Sequence, residues 1–298
     1  MKQQTSPATN KPYPLTAICA AWRIARSTVY AFRARQRADR PPARRRGPPG
    51  PCSDDELVER IRGVLTSSPF HGEGYRKVWA RLRFAGIRTS RERVRRLMRE
   101  HGLRAPYFPK RKRGHKAHDG RITTDQPDEM WGTDATATLT GQGSAFIFFV
   151  VDHCTSECMG IHASASGSRL EALEPLRQGV RRAFGTYDQG AASGLALRHD
   201  HGSQFMSDDY QQELTFLGIR NTPSFVAEPE CNGVAERFVR KLKEQLLWVR
   251  AFETIEELRL ALLDFMRLHN TEWLVQKHRY ATPEQVRARL TQPAALAA

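Results

Sequence analysis

The sequence predicts a mixed α/β domain in the C-terminal half, preceded by small all-helical pieces. Three observations carry that reading. Residues 15–105 show helical spacing with caps and turns, and no alternating runs. From residue 130 onward, β-branched and apolar runs alternate with amphipathic stretches. Two cationic stretches rich in turn-forming residues, at 40–52 (RPPARRRGPPGPC) and 106–121 (PYFPKRKRGHKAHDGR), separate the pieces. The expected organisation is therefore an N-terminal helical segment (1–39), a basic linker (40–52), a helical domain (53–105), a second basic linker (106–124) and an α/β domain (125–298).

In the first piece, LTAICAAWRIARSTVYAFRARQR, Ile18, Ala21 and Trp22 follow helical spacing. Ile24 to Arg26 makes a turn, and Ser27 is placed to cap a second helix carrying Val29, Tyr30, Phe32 and Arg33. Two short helices joined in this way form a helix-turn-helix pattern, whose second helix reads a major groove with its first residues. Arg26, Ser27, Thr28 and Tyr30 are then the groups nearest DNA.

In the second piece, Leu57, Ile61 and Leu65 mark one helix, and Tyr75, Val78 and Leu82 mark another after the Gly72–Gly74 turn. Thr89 and Glu92 read as the capping box of a third, striped by Val94, Leu97 and Met98 and closed by Gly102. Arg91, Arg93, Arg95, Arg96 and Arg99 crowd its other faces and repel one another without an anion, which points to phosphate backbone. Arg91, Arg95 and Arg99, with Lys110, Arg111, Lys112 and Arg113 of the second linker, are the expected contacts.

In the third piece, MWGTDATATLT and SAFIFFVVDH read as strands about the Gly141–Gly143 turn, and CMGIHASAS as a third strand. Leu170–Phe184 and Asp208–Leu217 have helical spacing, and GLALRHD is a buried strand ending in polar residues. Asn232–Val249 reads as one long amphipathic helix with Ala235, Phe238, Leu242 and Val249 as its core stripe, and a further helix covers Ile255–Leu268.

Charge is segregated along the 298 residues. Residues 1–120 hold 29 Lys and Arg against 9 Asp and Glu, whereas residues 121–298 hold 18 against 23, for a total of +15. A basic front on a mildly acidic back implies a polyanion-binding part joined to something else. The longest apolar run, Ala145 to Val151, is far short of the ~20 residues that cross a bilayer. Five cysteines do not make a disulfide framework, and Cys154 and Cys158, near His153 and His162, lack the second pair a zinc site needs.

Three acids stand apart. Asp134 lies inside a β-branched strand, Asp200 ends the strand LALRHD, and Glu236 sits in the first turns of a helix. A carboxylate inside a strand is costly unless it is paired or holds a cation. Three carboxylates converging from two strands and a helix make an oxygen-ligand site suited to Mg²⁺, with Mn²⁺ as a substitute. Arg240 and Lys243 follow Glu236 on one helix face, where they can grip phosphates.

In order and spacing, with 35 residues between Asp200 and Glu236, these acids resemble the DDE triad of retroviral-integrase-like transposases. WGTDAT is similar to that family's Trp-x-x-Asp-x-Thr strand, and HDHGSQF, with His201 and Gln204, to its Asp-x-Gly-x-Gln-Phe/Tyr turn. NGVAERFVRKLKE is similar to its Asn-x-x-x-Glu helix with Lys243 seven residues on, and VVDHCTSECMGIHAS to its second and third strands. His269–Asn270 and Tyr280–Ala281–Thr282–Pro283 resemble the Tyr-Asn and Gly-Tyr-x-Thr-Pro segments of insertion-sequence transposases encoded by a second reading frame. His201, His269 and Ala281 depart from the usual residues, and none is a metal ligand.

The resemblance implies a ribonuclease-H-like catalytic domain behind helix-turn-helix-like DNA-binding domains. It implies a DNA transposase that nicks element ends and transfers strands by direct transesterification, using Mg²⁺ held by Asp134, Asp200 and Glu236. The implied partners are double-stranded DNA (terminal inverted repeats and target) and further copies of the chain on that DNA. Fusion to an upstream-frame product is a further expectation, since the chain itself carries no zipper. The expected setting is the bacterial cytoplasm, at the nucleoid. Two rivals differ in outcome: a non-enzymatic DNA-binding regulator on the same fold, and a nuclease acting on RNA–DNA hybrids.

Overall fold

The computed structural model describes residues 5–7, 9–37, 52–106, 124–223 and 232–292. Lys110, Arg111, Lys112 and Arg113, and most of both basic linkers, lie outside the described residues. The chain divides into two compact units, Met1–Pro49 and Gly50–Ala298.

The first unit holds helices α1 (Leu15–Ala21) and α2 (Arg26–Arg37). The second helix begins at Arg26, so Ser27 lies inside it rather than capping it. Trp22 terminates α1 but stays 74% exposed, and the helix buries Cys19. The helical spacing of Ile18, Ala21 and Trp22 therefore marks the helix without burying Trp22.

The second unit opens with α3 (Asp54–Ser67), α4 (Tyr75–Phe84) and α5 (Arg91–Glu100). Ser53 and Glu56 form a capping box on α3. On α5 the cap is Ser90, whose hydroxyl accepts from Arg93 N–H, not Thr89. Thr89 is instead held through its carbonyl, which accepts from Trp79 Nε1 at 2.8 Å. Leu57, Ile61, Val78, Leu82, Val94 and Leu97 form the three-helix core, and Leu274 and Tyr280 from far along the chain complete it.

A five-stranded sheet of order β3-β2-β1-β4-β5 comes next, built from β1 (Met130–Thr140), β2 (Gly143–Asp152), β3 (Cys158–Ser164), β4 (Ala196–Arg198) and β5 (Arg220–Asn221). The first three strands are antiparallel neighbours, and β4 and β5 join in parallel with β1. Strand alternation divides the side chains between two cores. Trp131, Phe148 and Val150 pack against α6 (Arg169–Phe184) and α8 (Asp208–Leu217), which comes after the short α7 (Ser203–Met206). Ile147, Phe149 and Val151 pack against α9 (Gly233–Leu242) and α10 (Ile255–Glu272).

The long helix expected over Asn232–Val249 is interrupted. It ends as α-helix at Leu242 and continues as one π-helical turn, Lys243–Leu247. The wider turn rotates the residues beyond it, so Leu247 is buried while Val249 is 45% exposed and drops out of the core stripe.

The C-terminal segment braces the sheet. The buried Asn270 side chain accepts from Cys158 N–H and donates to Cys158 C=O, both at 2.9 Å, standing in for a strand at the β3 edge. Thr282 caps α11 (Pro283–Thr291) with Gln285 in a capping box. Arg287 of that helix makes two hydrogen bonds to Asp128 and one to the buried Glu157. Two half-buried lysines approach Trp273, with Lys77 Nζ 2.7 Å and Lys241 Nζ 5.3 Å from its ring centre. Burial pushes these ammonium groups down to about 6 and about 7 respectively.

Candidate active site

The parallel register builds the acidic site. Met130, Trp131 and Gly132 of β1 face Ala196, Leu197 and Arg198 of β4. Beyond this pairing, β1 runs two residues on to Asp134, and the chain leaving β4 at Arg198 runs two residues on to Asp200. Asp134 pairs across the sheet with Phe149, whose side chain belongs to the core under α9. Its carboxylate therefore emerges on the α9 face. The Phe149 and Phe238 rings lie 4.8 Å apart, which seats α9 two residues beyond Glu236.

Electrostatics report the same convergence. Burial above all, together with the negative charges of Asp200 and Glu236, raises the Asp134 carboxyl to about 6. A hydrogen bond from Ala135 N–H at 2.8 Å and the charge of Lys243 act in the opposite direction. Asp134, Asp200, Glu236 and Lys243 thus share one neighbourhood. Asp200 is exposed, with Oδ1 accepting from Gly202 N–H at 2.9 Å in the turn that starts α7. Among the described residues, no three His, Cys, Asp or Glu side chains are gathered tightly enough to hold a metal ion. The carboxylates repel across a shared space and form no closed cage.

The remaining expected contacts fall into two groups. Lys243 joins the acids from the π turn, half-buried. Arg240 does not face them freely, because its guanidinium donates to Glu244 at 2.6 Å one helical turn on. His201 is exposed and Gln204 half-buried in the turn after Asp200. Arg26, Ser27, Thr28 and Tyr30 are all exposed at the start of α2, in the other unit.

On α5 the arginines divide. Arg91, Arg95 and Arg99 are exposed, with Arg91 stacked 4.3 Å over Trp79 and Arg95 bridging Glu92 at 2.9 Å. Arg93 and Arg96 both bind the Asp54 carboxylate, at 2.7 and 2.6 Å, and Arg96 also reaches Glu100. The five-arginine repulsion expected from the sequence is therefore relieved in part from within the chain. Asp54, held below the usual carboxylate range chiefly by its hydrogen bond from Arg96, does that work.

Two histidines have supporting roles that the sequence does not reveal. His199 is buried, with ring nitrogens 2.6 Å from Asp200 C=O and 2.8 Å from Asn221 Oδ1, and it packs on Phe205 and Tyr210. It fixes the backbone that carries Asp200. His153 is buried beside β1 and its pKa is lowered to about 4, first by burial and then by Arg198, Lys277 and Arg237. The histidines of RHD and VDH are visible in the sequence; their burial is not.

Residues 53–113 match the HTH-like domain family and residues 124–229 the integrase core domain family. The chain is 29% identical over 204 residues to the transposase InsD for insertion element IS2A/D/F/H/I/K of Escherichia coli, covering 65% of each chain. The InsD transposase for IS2-9 of Escherichia coli strain K12 is equally similar, over 65% of this chain and 64% of its own. The chain thus spans a little under two thirds of the length of the curated relatives it matches. Solved structures with a similar course include a simian T-cell lymphotropic virus intasome in complex with PP2A regulatory subunit B56 gamma. That match has 17% identity and a TM-score of 0.47, and covers 82% of this chain and 77% of that one. Another is the HTLV-2 integrase catalytic core domain in complex with magnesium, at 16% identity and a TM-score of 0.42, covering 54% and 97%. The family matches bear out the resemblance and the fold class read from the sequence: a mixed-sheet integrase core of ribonuclease-H-like type behind an HTH-like helical domain.

Proposed function

We propose that this chain, an integrase core carried behind an HTH-like domain, is the transposase of an insertion element, with Asp134, Asp200 and Glu236 as its catalytic carboxylates. The observation that carries the reading is the Asp134 carboxylate, half-buried on the sheet and raised to about 6 with Asp200 and Glu236 acting on it. A fold does not keep three repelling acids around one half-buried strand position for stability alone. The donor set, all carboxylate oxygen with no soft ligand, fits a hard divalent cation such as Mg²⁺. Bound there, it supplies activation of water or a 3′-hydroxyl and charge neutralisation at the phosphodiester.

The chain's own groups do the rest. Lys243 meets phosphate charge at the site, and Arg240 does so once released from Glu244. His201 and Gln204 border the Asp200 turn where a DNA strand would pass. Exposed Arg91, Arg95 and Arg99 hold duplex backbone, while Arg26, Ser27, Thr28 and Tyr30 enter a groove. Water attacks a phosphodiester at the element end, and the freed 3′-hydroxyl attacks a second phosphodiester. No covalent bond to the enzyme forms. Pairing two ends requires more than one copy, and fusion to an upstream-frame product belongs to the same proposal.

The test is Mg²⁺-dependent nicking and strand transfer on labelled DNA carrying the element's own ends. Wild type is expected to give both products. Asp200→Asn is expected to bind the same DNA and give neither. Binding without products from wild type would favour a regulator on this fold, and cleavage confined to RNA–DNA hybrids would favour a nuclease.

A further inference from the structure

We infer that Asn232 is a positioning residue that sets Glu236 over Asp134, by tying the first turn of α9 to the backbone of β1. This rests on the triad assigned above. Asn232 is the N-cap of α9, yet its side chain caps nothing in its own helix. Its Nδ2 donates instead to Thr133 C=O at 2.8 Å, a buried bond across 99 residues of sequence to the residue before Asp134. Asn232 and Glu236 are four residues apart, so they lie on one helix face. Fixing the first to residue 133 therefore fixes where the second stands relative to residue 134.

The approach has a partner on the strand. A Cβ at Gly132 would stand 2.6 Å from Asn232 Oδ1 and 2.8 Å from His153 Nε2. Gly132 lies two residues before Asp134 and so on the same sheet face. The missing side chain is the space into which the amide and the imidazole fit. His153 is fixed in turn by its own N–H, which donates to Met130 C=O at 3.0 Å. Strand, cradle and helix thus meet within two residues of Asp134. The second attachment of α9, Phe238 on Phe149, lies on the far side of Glu236. Between two anchors the helix can neither slide nor rotate away from the strand.

Two variants of the full-length chain test this from opposite sides: Asn232→Ala removes the tie, and Gly132→Ala pushes it away. The first readout is the Mg²⁺ concentration that half-saturates thermal stabilisation of the DNA-free chain, with Glu236→Gln as reference. The second is the single-turnover nicking rate on bound element-end DNA. Both variants are expected to need about 10-fold or more Mg²⁺ for half-saturation, and to nick about 10- to 100-fold more slowly, partly rescued by excess Mg²⁺. DNA affinity is expected to stay within about twofold, a combination a merely structural defect would not produce. An unchanged Mg²⁺ half-saturation in both variants, while Glu236→Gln abolishes the response, would overturn the positioning role and leave the triad standing. Mg²⁺ stabilisation that survives Glu236→Gln would overturn the triad reading, and this inference with it.

Discussion

Asp134→Asn is expected to stabilise the cation-free chain at pH 8 while abolishing DNA cutting. In the native chain burial and two neighbouring acids hold this carboxyl at about 6 against an ordinary 3.8. A raised carboxyl pKa means that the folded state binds the proton more tightly than the unfolded one. Below about 3.8 both states are protonated and the residue costs nothing. As pH rises to about 6 stability is lost, and above that the loss is complete. At ~1.36 kcal/mol per pH unit, the interval corresponds to roughly 3 kcal/mol. Asparagine mimics the neutral acid at every pH, so the variant escapes the loss. The assay is paired thermal melts in EDTA from pH 4 to pH 8, where other titrations cancel in the difference between the two chains. At about 2–4 °C per kcal/mol for a unit of this size, Asp134→Asn should melt roughly 6–12 °C above wild type at pH 8 and level with it near pH 4. Mg²⁺ should then raise wild type and leave the variant unmoved. A variant less stable than wild type at pH 8, or a gap that does not open between pH 4 and pH 6, would refute the claim that Asp134 is held ionised against its surroundings.

Arg287→Ala should cost about 3–5 kcal/mol in urea unfolding, because Glu157, with its side chain 1% exposed, loses one of its two arginine partners and Asp128 loses both its bonds from this helix. On α5, Arg95→Ala and Arg99→Ala should each weaken DNA binding across sequences and lower the salt slope by about 1, read from titrations at several salt concentrations. Arg93→Ala should instead lower stability by roughly 1.5–3 kcal/mol, since its guanidinium serves Asp54 and the Cys52 carbonyl. Lys241→Met should raise stability at pH 7, because burial depresses this ammonium to about 7 and the folded chain resists its protonation. The gain should shrink as pH rises from about 7 towards 10.5 and vanish above it, where the unfolded lysine is neutral too, and denaturant midpoints from pH 7 to pH 11 would show it.

What the sequence made legible was chemistry that contradicts its surroundings, and what it hid was pairing at a distance. An aspartate in WGTDAT is a polar residue where a strand wants none, so it can be singled out without knowing its neighbours. The β1 and β2 boundaries were legible for a related reason, since alternation and the Gly141–Gly143 turn are local. The two missed details of helix ends are also local, but each turns on a shift of one residue: α2 begins at Arg26, just before Ser27, and α5 is capped by Ser90, just after Thr89. The π turn after Leu242 leaves no such mark, because an amphipathic pattern reads the same until the register shifts and Val249 swings outward. Asp54 lies 39 and 42 residues from the arginines it neutralises, and Thr133 lies 99 residues from the amide that grips it. Nothing in the local pattern around either carries the partner's identity. Of the five arginines crowded on α5, two are taken up by Asp54 and the three named as DNA contacts are the ones left exposed, while the Asn232 amide is spent on the Thr133 carbonyl. Both have one origin: a charged or polar side chain near a functional group is seen in sequence as available, whereas the fold decides whether it is already spent holding the backbone in place.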